Sequence, residues 1–393
     1  MERKRTMYLS YKTRRNLRLV NLVFNVTYPE VSFSSLLRIV AEFVVELGGV
    51  LKSTTQYGIG VRCVISNPQN DGMYVLGRDD GALILKQSMC SIKQVAHDSK
   101  ISCMHRISHN TSSSFVFASG SSRGDVKIWH VTAVTKQLKL QATCLGHIRG
   151  IWTMCSLRRQ RRHNKTRLAT ASADSTVRIW DIQSGMCLQV FSDFEGTVLT
   201  IAASLNDRFV VYGGDDHTVR ISNIDYNDSR ILRGHKGPIY KVLCLKSGSI
   251  ATSSWDRTIR IWDLGAFEKA ATILSGHSRC VRDMLELSSN RLLSAADDGC
   301  IGMWCLQRKT CLVKVQAHDK IIRKLLALNE SQDIIASISD DGYLKVWEFA
   351  AASSSQNLLF SLHGHKSRYL QDIACLPRGL VSVCELGSVM EWV

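Results

Sequence analysis

Proline is almost missing from this 393-residue chain, at four residues, and aromatic side chains make up only 7% of it. Four prolines and 26 glycines exclude collagen-like and proline-rich filament composition. No stretch reaches 18 uncharged apolar residues, so no segment reads as a membrane-spanning helix. None of the thirteen cysteines forms a CxxC pair. That spacing argues against a disulfide framework or a zinc cluster and for free, buried thiols in a reducing compartment: the cytoplasm, with the nucleus as the alternative. Also missing are a glycine-rich phosphate loop, metal-ligand spacing and an isolated nucleophile–base pair. No enzyme, cofactor, metal or small-molecule substrate is therefore expected. What the chain does have is 45% hydrophobic and 21% charged residues, enough for a real core and too apolar for wholesale disorder.

Acidic residues are in short supply, 34 against 50 Lys and Arg, a formal charge of +16. The excess is concentrated. Residues 1–18 carry Arg3, Lys4, Arg5, Lys12, Arg14, Arg15 and Arg18 against Glu2, a net of +6. Arg158, Arg159, Arg161, Arg162, Lys165 and Arg167 add another +6, which leaves +4 for the rest. A uniformly basic nucleic-acid-binding domain is excluded by that distribution. The second cluster reads as a solvated loop or as one that binds phosphate or an acidic partner. No aromatic residue interleaves it, so base stacking is not indicated.

An internal repeat organises the remainder. SADSTVRIWD (172–181), SWDRTIRIWD (254–263), ADDGCIGMWC (296–305) and SDDGYLKVWE (339–348) align without gaps. Four weaker copies end at register positions 86, 129, 222 and 392, so eight units succeed one another at steps of 40 to 51 residues. Gly-His or Ala-His precedes six of them, at His97, His147, His235, His277, His318 and His365. Within each unit, short runs of β-branched and apolar residues are separated by turn residues, which predicts strands. The 51-residue step contains the basic run 158–167, which makes that run an insertion between two strands. Residues 1–55 fall outside the register. They are read as an extension, a basic tail followed by a helix over 33–47, ahead of a repeat domain at 56–393.

This pattern resembles the WD-repeat β-propeller family, whose repeat of about 40–45 residues forms one four-stranded blade. The resemblance implies an all-β ring of seven to eight blades. Eight is favoured, because a chain ending on the third strand of its last blade can borrow the missing fourth strand from near residues 50–53. It also implies a buried hydrogen-bonded set in each complete blade: His147, Ser172, Asp174 and Trp180; His235, Ser254, Asp256 and Trp262; His318, Ser339, Asp341 and Trp347. Such sets look like hydrolase triads, but they recur blade after blade with a tryptophan each time. Architecture needs one per blade and catalysis needs one in all. Units one, four and eight, which lack parts of the set, are expected to hold together by apolar packing alone.

The resemblance further places two positions per unit on the rim of the top face, one five residues after the histidine and one just before the turn aspartate. They include Trp152, Tyr240, Trp255, Arg282, Asp297, Arg323 and Asp340. Trp, Tyr and Arg dominate interface energetics. The expected function is a non-catalytic scaffold that docks protein segments on this face, as an adaptor within a larger complex. The alternatives are an RNA- or ribosome-associated assembly subunit using the basic segments, and a ubiquitin-pathway substrate receptor. Against the last, Gln183 and Gly265 stand where some such family members carry a basic residue.

Overall fold

The computed structural model describes residues 51–393 apart from 68–72, 88–89, 112–113, 133–136, 158–165, 227, 264–270, 288–289, 330–332, 350–355, 366–368, 378 and 393. The expected basic tail and the helix at 33–47 lie outside the described residues.

The described residues form thirty-two strands in eight antiparallel four-stranded sheets, and no helix is found among them. Seven sheets are built from consecutive strands, as in the third, with Ile151–Leu157, Arg167–Ser172, Val177–Asp181 and Cys187–Phe191 in spatial order. The eighth takes its first three strands from the end of the chain (Leu370–Leu376, Gly379–Cys384 and Ser388–Trp392) and its outermost from Leu51–Gln56. Leu51 pairs with Trp392 and Gln56 with Ser388, so the two ends of the ring are stapled by one sheet. This is the closure anticipated for eight blades. It removes the open edge on which another chain could pair. The closing strand also starts the propeller at Leu51, five residues ahead of the boundary at 56 read from the register.

Eight hydrophobic clusters occupy the eight interfaces between neighbouring blades. One joins blades one and two through Val75, Leu83, Phe117 and Trp129. Another seals the closing interface, with Val61, Leu76 and Ile84 of blade one against Val381, Val383 and Val389 of blade eight. Each sheet is therefore covered on both faces, which is why second strands such as Arg291–Ala296 and Ile334–Ser339 are buried along their whole length. The outermost strands are the most exposed, as in Cys90–Val95, where every residue is exposed or half-buried.

Two backbone devices repeat in all eight blades. The turn between second and third strands carries a left-handed residue five positions before the register residue: Gly81, Gly124, Ser175, His217, Arg257, Gly299, Gly342 and Gly387, with φ from 64° to 102°. At Gly81 and Gly299 a Cβ would come within 2.1 Å of the carbonyl oxygens of His97 and His318, so glycine is required there on two counts. The second device is a β-bulge one residue into each innermost strand, between Val61 and Cys63, Ile151 and Thr153, Ile239 and Lys241, and their equivalents.

The innermost strands are also cross-linked around the ring. Asp283 accepts a bond from the Leu325 amide at 2.9 Å and ion-pairs with Lys241 at 3.0 Å. Asp372 accepts from the Val64 amide at 2.9 Å, across the closing interface, and pairs with Lys324.

Candidate functional site

The recurring histidines come first, because their geometry decides between chemistry and architecture. In blade five, Trp262 Nε1 donates to the Thr252 hydroxyl at 2.9 Å. His235 Nε2 lies 2.8 Å from that hydroxyl, and His235 Nδ1 lies 2.8 Å from Asp256. An indole can only donate and a carboxylate can only accept. The chain therefore has one order: Trp262 donates to Thr252, Thr252 donates to His235 Nε2, and a neutral imidazole donates from Nδ1 to Asp256. Burial pushes the His235 pKa down, against the pull of Asp256. Burial alone would raise the Asp256 carboxyl, but the bonds from His235, Thr258 and the Lys236 amide hold it well below the usual carboxylate range.

Blade three repeats this with Thr170 (His147 Nε2 at 2.8 Å, Trp180 Nε1 at 2.8 Å), and blade seven with Ser337 (2.8 and 2.9 Å). The hydroxyl is thus ten residues before the tryptophan, two earlier than the expected Ser172, Ser254 and Ser339. Those serines do something else. Ser172 donates to the Arg149 carbonyl at 2.9 Å and accepts from the Asp174 amide at 3.1 Å, tying the loop entering the blade to its turn. Ser254 does the same with Gly237 and Asp256, and Ser339 accepts from the Asp341 amide. A signal for this was present in unit six, where Ala296 occupies the position of Ser172 while Ser294 keeps the hydroxyl and bonds His277 and Trp304 at 2.7 Å each.

The units lacking part of the set are not held by apolar packing alone. Blade two has Arg123 at the usual aspartate position, but Asp125 reaches His97 from two residues later. Burial opposes the Asp125 charge, yet bonds from His97 and Ser121 hold its carboxyl down at about 2. Blade eight keeps His365, Ser382 and Trp392, with bonds of 2.7 and 2.8 Å, and has Leu386 where the acid stands. His365 Nδ1 is left buried without a hydrogen bond. Blade four is rebuilt. Phe194 stands at the histidine position, Tyr212 at the hydroxyl position and Ser222 at the tryptophan position. The Tyr212 hydroxyl reaches Ser222 at 3.0 Å and donates to Asp193 at 2.9 Å. Arg220 bonds both Asp216 and Asp193 and lies 4.7 Å over the Phe194 ring. In blade one, Tyr57 stands at the histidine position under Arg78, which pairs with Asp80 at 3.0 Å.

His147, His235 and His318 are buried beneath the loops, and the sets recur around the ring. They are the architecture of the blades.

The exposed chemistry lies on the rim. The residues in the β-bulges are Arg62, Ser102, Trp152, Leu199, Tyr240, Arg282, Arg323 and Gln371, five positions after the histidine in blades two, three, five, six and seven and six positions after it in blade eight. A bulge re-aims its side chain out of the alternating pattern, so the register irregularity presents these eight residues on one face. That face divides in two. In blades six, seven, eight and one the rim is a series of ion pairs. Arg282 forks onto Asp297 at 2.7 and 3.1 Å, and Arg323 onto Asp340 at 2.7 and 2.8 Å. Arg62 joins Asp79 at 3.0 Å to Glu385 at 3.3 Å. Both arginines expected at the rim are therefore committed to the aspartate of their own blade. Blades two to five carry almost none of this. Trp152 and Trp255 are 55% and 56% exposed, beside an exposed Ile148. Tyr240 is half-buried under Arg282, whose guanidinium lies 4.6 Å from its ring centre. Ser102 turns inward to the carbonyls of Ile151 and Gly120. The structure thus brings Trp152, Tyr240 and Trp255 to one sector and Arg282, Asp297, Arg323 and Asp340 to the next.

Of the basic cluster, Arg158, Arg159, Arg161, Arg162 and Lys165 lie outside the described residues. Arg167 opens the second strand of blade three, 3.6 Å from Asp225. Among the described residues, no group of three or more His, Cys, Asp or Glu is placed to hold a metal. All thirteen cysteines are free, and burial pushes the thiols of Cys103 and Cys244 up to about 12.

A family profile for WD40 (WD domain, G-beta repeat) matches residues 138–181, 185–222 and 227–263. Nuclear distribution protein PAC1-2 of Uncinocarpus reesii is 30% identical over 182 residues, 39% of each chain. The ribosome biogenesis protein WDR12 homolog of Culex quinquefasciatus is 24% identical over 282 residues, covering 68% of this chain and 57% of that protein. The match thus spans about 40–60% of the length of these relatives. Among solved structures, the computationally designed Ika8 protein superposes with a TM-score of 0.72 at 22% identity, covering 88% of this chain and 99% of that one. The C-terminal WD40 domain of Sif2 superposes with a TM-score of 0.70 at 16% identity. The chain thus folds as a closed β-propeller of eight four-stranded blades and carries WD40 repeats over residues 138–263.

Proposed function

We propose that the protein is a non-catalytic adaptor that docks a segment of a protein partner on the aromatic sector of the top face, acting as a subunit of a larger complex. WD-repeat propellers are typically protein-interaction scaffolds. The observation that carries the finer reading is the exposure of Trp152 and Trp255, flanking blade four, on a ring whose other large aromatics are mostly buried. Large side chains with two rotatable bonds bury area at low entropic cost, and they anchor interfaces. The free thiols fit a reducing compartment, the cytoplasm or nucleus. The test is affinity capture with the full chain and with a Trp152→Ala/Tyr240→Ala/Trp255→Ala variant that melts at the same temperature. The wild type should retain partners that the variant loses. An identical set from both proteins removes this site.

A second reading, a subunit of an RNA-associated assembly, draws on the match to the Culex ribosome biogenesis protein and on the six basic residues within 158–167. It requires salt-sensitive RNA binding that disappears when those residues are neutralised.

A further inference from the structure

The rim of blade four lacks a partner that its sister blades supply for themselves. In blades one, six and seven the acid before the turn meets an arginine from the β-bulge of the same blade: Asp79 with Arg62, Asp297 with Arg282, Asp340 with Arg323. Blade four has the acid, Asp215, and Leu199 in the bulge. Among the described residues no cationic side chain is paired with Asp215. Its carboxylate is exposed and takes only a 3.3 Å bond from the Thr197 amide. Blade three places Trp152 on one side of this gap, and blade five places Tyr240 and Trp255 on the other. The innermost strands of blades four and five lie side by side, tied by the Val242 amide donating to the Thr200 hydroxyl at 3.0 Å, which sets Tyr240 beside blade four. Glu195, on the loop entering blade four, adds a second exposed carboxylate; Arg149 and Lys236 stand on the corresponding loops of blades three and five, and His217 stands in the turn itself.

Blade six shows what fits such a gap. Its Arg282 forks onto Asp297 and at the same time stacks on Tyr240. A planar guanidinium is suited to both contacts at once, and an ammonium is not.

We infer that the partner segment supplies the missing arginine: its guanidinium pairs with Asp215 over Leu199 and lies between Trp152 and the Tyr240–Trp255 pair. This inference rests on the top-face reading above and names the side chain recognised. It makes the docked segment arginine-containing and apolar around the arginine, with the chain reproducing across an interface a contact it makes within blades six and seven.

The experiment uses the full chain and fluorescein-labelled ten-residue peptide pools, randomised except for a central Arg, Lys, Gln or Glu. The Arg pool is expected to bind about tenfold more tightly than the Gln pool and measurably more tightly than the Lys pool. Asp215→Asn removes the acceptor, and Leu199→Arg fills the gap from within. Each should bring the Arg pool to the level of the Gln pool while leaving the melting temperature within a degree or two. Equal binding of the Arg and Lys pools, preference for the Glu pool, or an Arg preference that survives both substitutions would overturn the inference. If those results appear while Trp152→Ala/Tyr240→Ala/Trp255→Ala still abolishes binding, the docking site stands without its arginine. If the triple variant binds every pool as the wild type does, the docking site falls as well.

Discussion

Blades four and five are neighbours with the same four-stranded sheet, the same bulge and the same left-handed turn, yet their buried polar sets share almost no residue type. Blade five runs a chain from Trp262 through Thr252 and His235 to Asp256. Blade four moves its large aromatic from the third strand to the second. Tyr212 replaces the threonine and Ser222 the tryptophan, and the two hydroxyls still meet. Arg220 then supplies the donors that the histidine would have supplied. The lesson concerns what a blade requires. Both blades run a satisfied donor–acceptor chain linking the entering loop, the second strand and the turn, and two different casts of residues build it.

Removing Arg220 should break the comparison most severely. Arg220 is almost fully buried and faces Asp216 and Asp193. Arg220→Met would leave the largely buried Asp216 carboxylate without its cation. We expect a loss of about 3 kcal/mol in urea unfolding, the cost of orphaning a buried charge. A loss below about 1 kcal/mol would mean that blade four does hold by apolar packing. Thr252→Val in blade five should cost somewhat less, about 2 kcal/mol. It keeps the shape but leaves the Trp262 indole N–H and His235 Nε2 without a partner. The matched control is Ser254→Ala at the position first expected to carry this bond; it should cost less than Thr252→Val, and the reverse order would refute the assignment of the hydroxyl.

The smallest effect tests blade eight, which is built from both ends of the described ring. Leu386→Asp offers His365 Nδ1 the acceptor found in five other blades and should stabilise the protein by about 1 kcal/mol at pH 7.5. The sign of its pH dependence follows from His365. Burial and the neighbouring His363 push its pKa down to about 4, below the roughly 6.5 of an unfolded histidine. The neutral imidazole therefore contributes stability that is complete above pH 6.5 and is lost as the pH falls toward 4. A new carboxylate would raise the folded pKa and shrink that loss, so the gain should be larger at pH 5 than at pH 7.5. Chemical denaturation at the two pH values checks it, and a smaller gain at pH 5 would contradict the described environment of His365.

The repeating elements were legible because they recur at fixed spacing: six tryptophans, six histidine dipeptides and the turn residues between them. Their number pointed to eight blades, and eight are found. The hydroxyl was misplaced by two residues because Ser or Thr occurs at both positions in the strongest copies. Side chains two apart share a face of the strand, so periodicity cannot separate them. Leaning of the indole along its strand places its N–H over Thr252 rather than Ser254, and that is a matter of geometry.

Local pattern alone was thus enough for the ring of blades, because strand period, turn chemistry and repeat length are properties of short segments. Two things came only from the assembled ring. The cast that rebuilds blade four is recognisable only when Asp193, Tyr212, Ser222 and Arg220 are seen to meet. The gap beside Asp215 is visible only against the ion pairs of the other blades, since whether a rim carboxylate has a partner depends on which side chains the closed ring turns toward it.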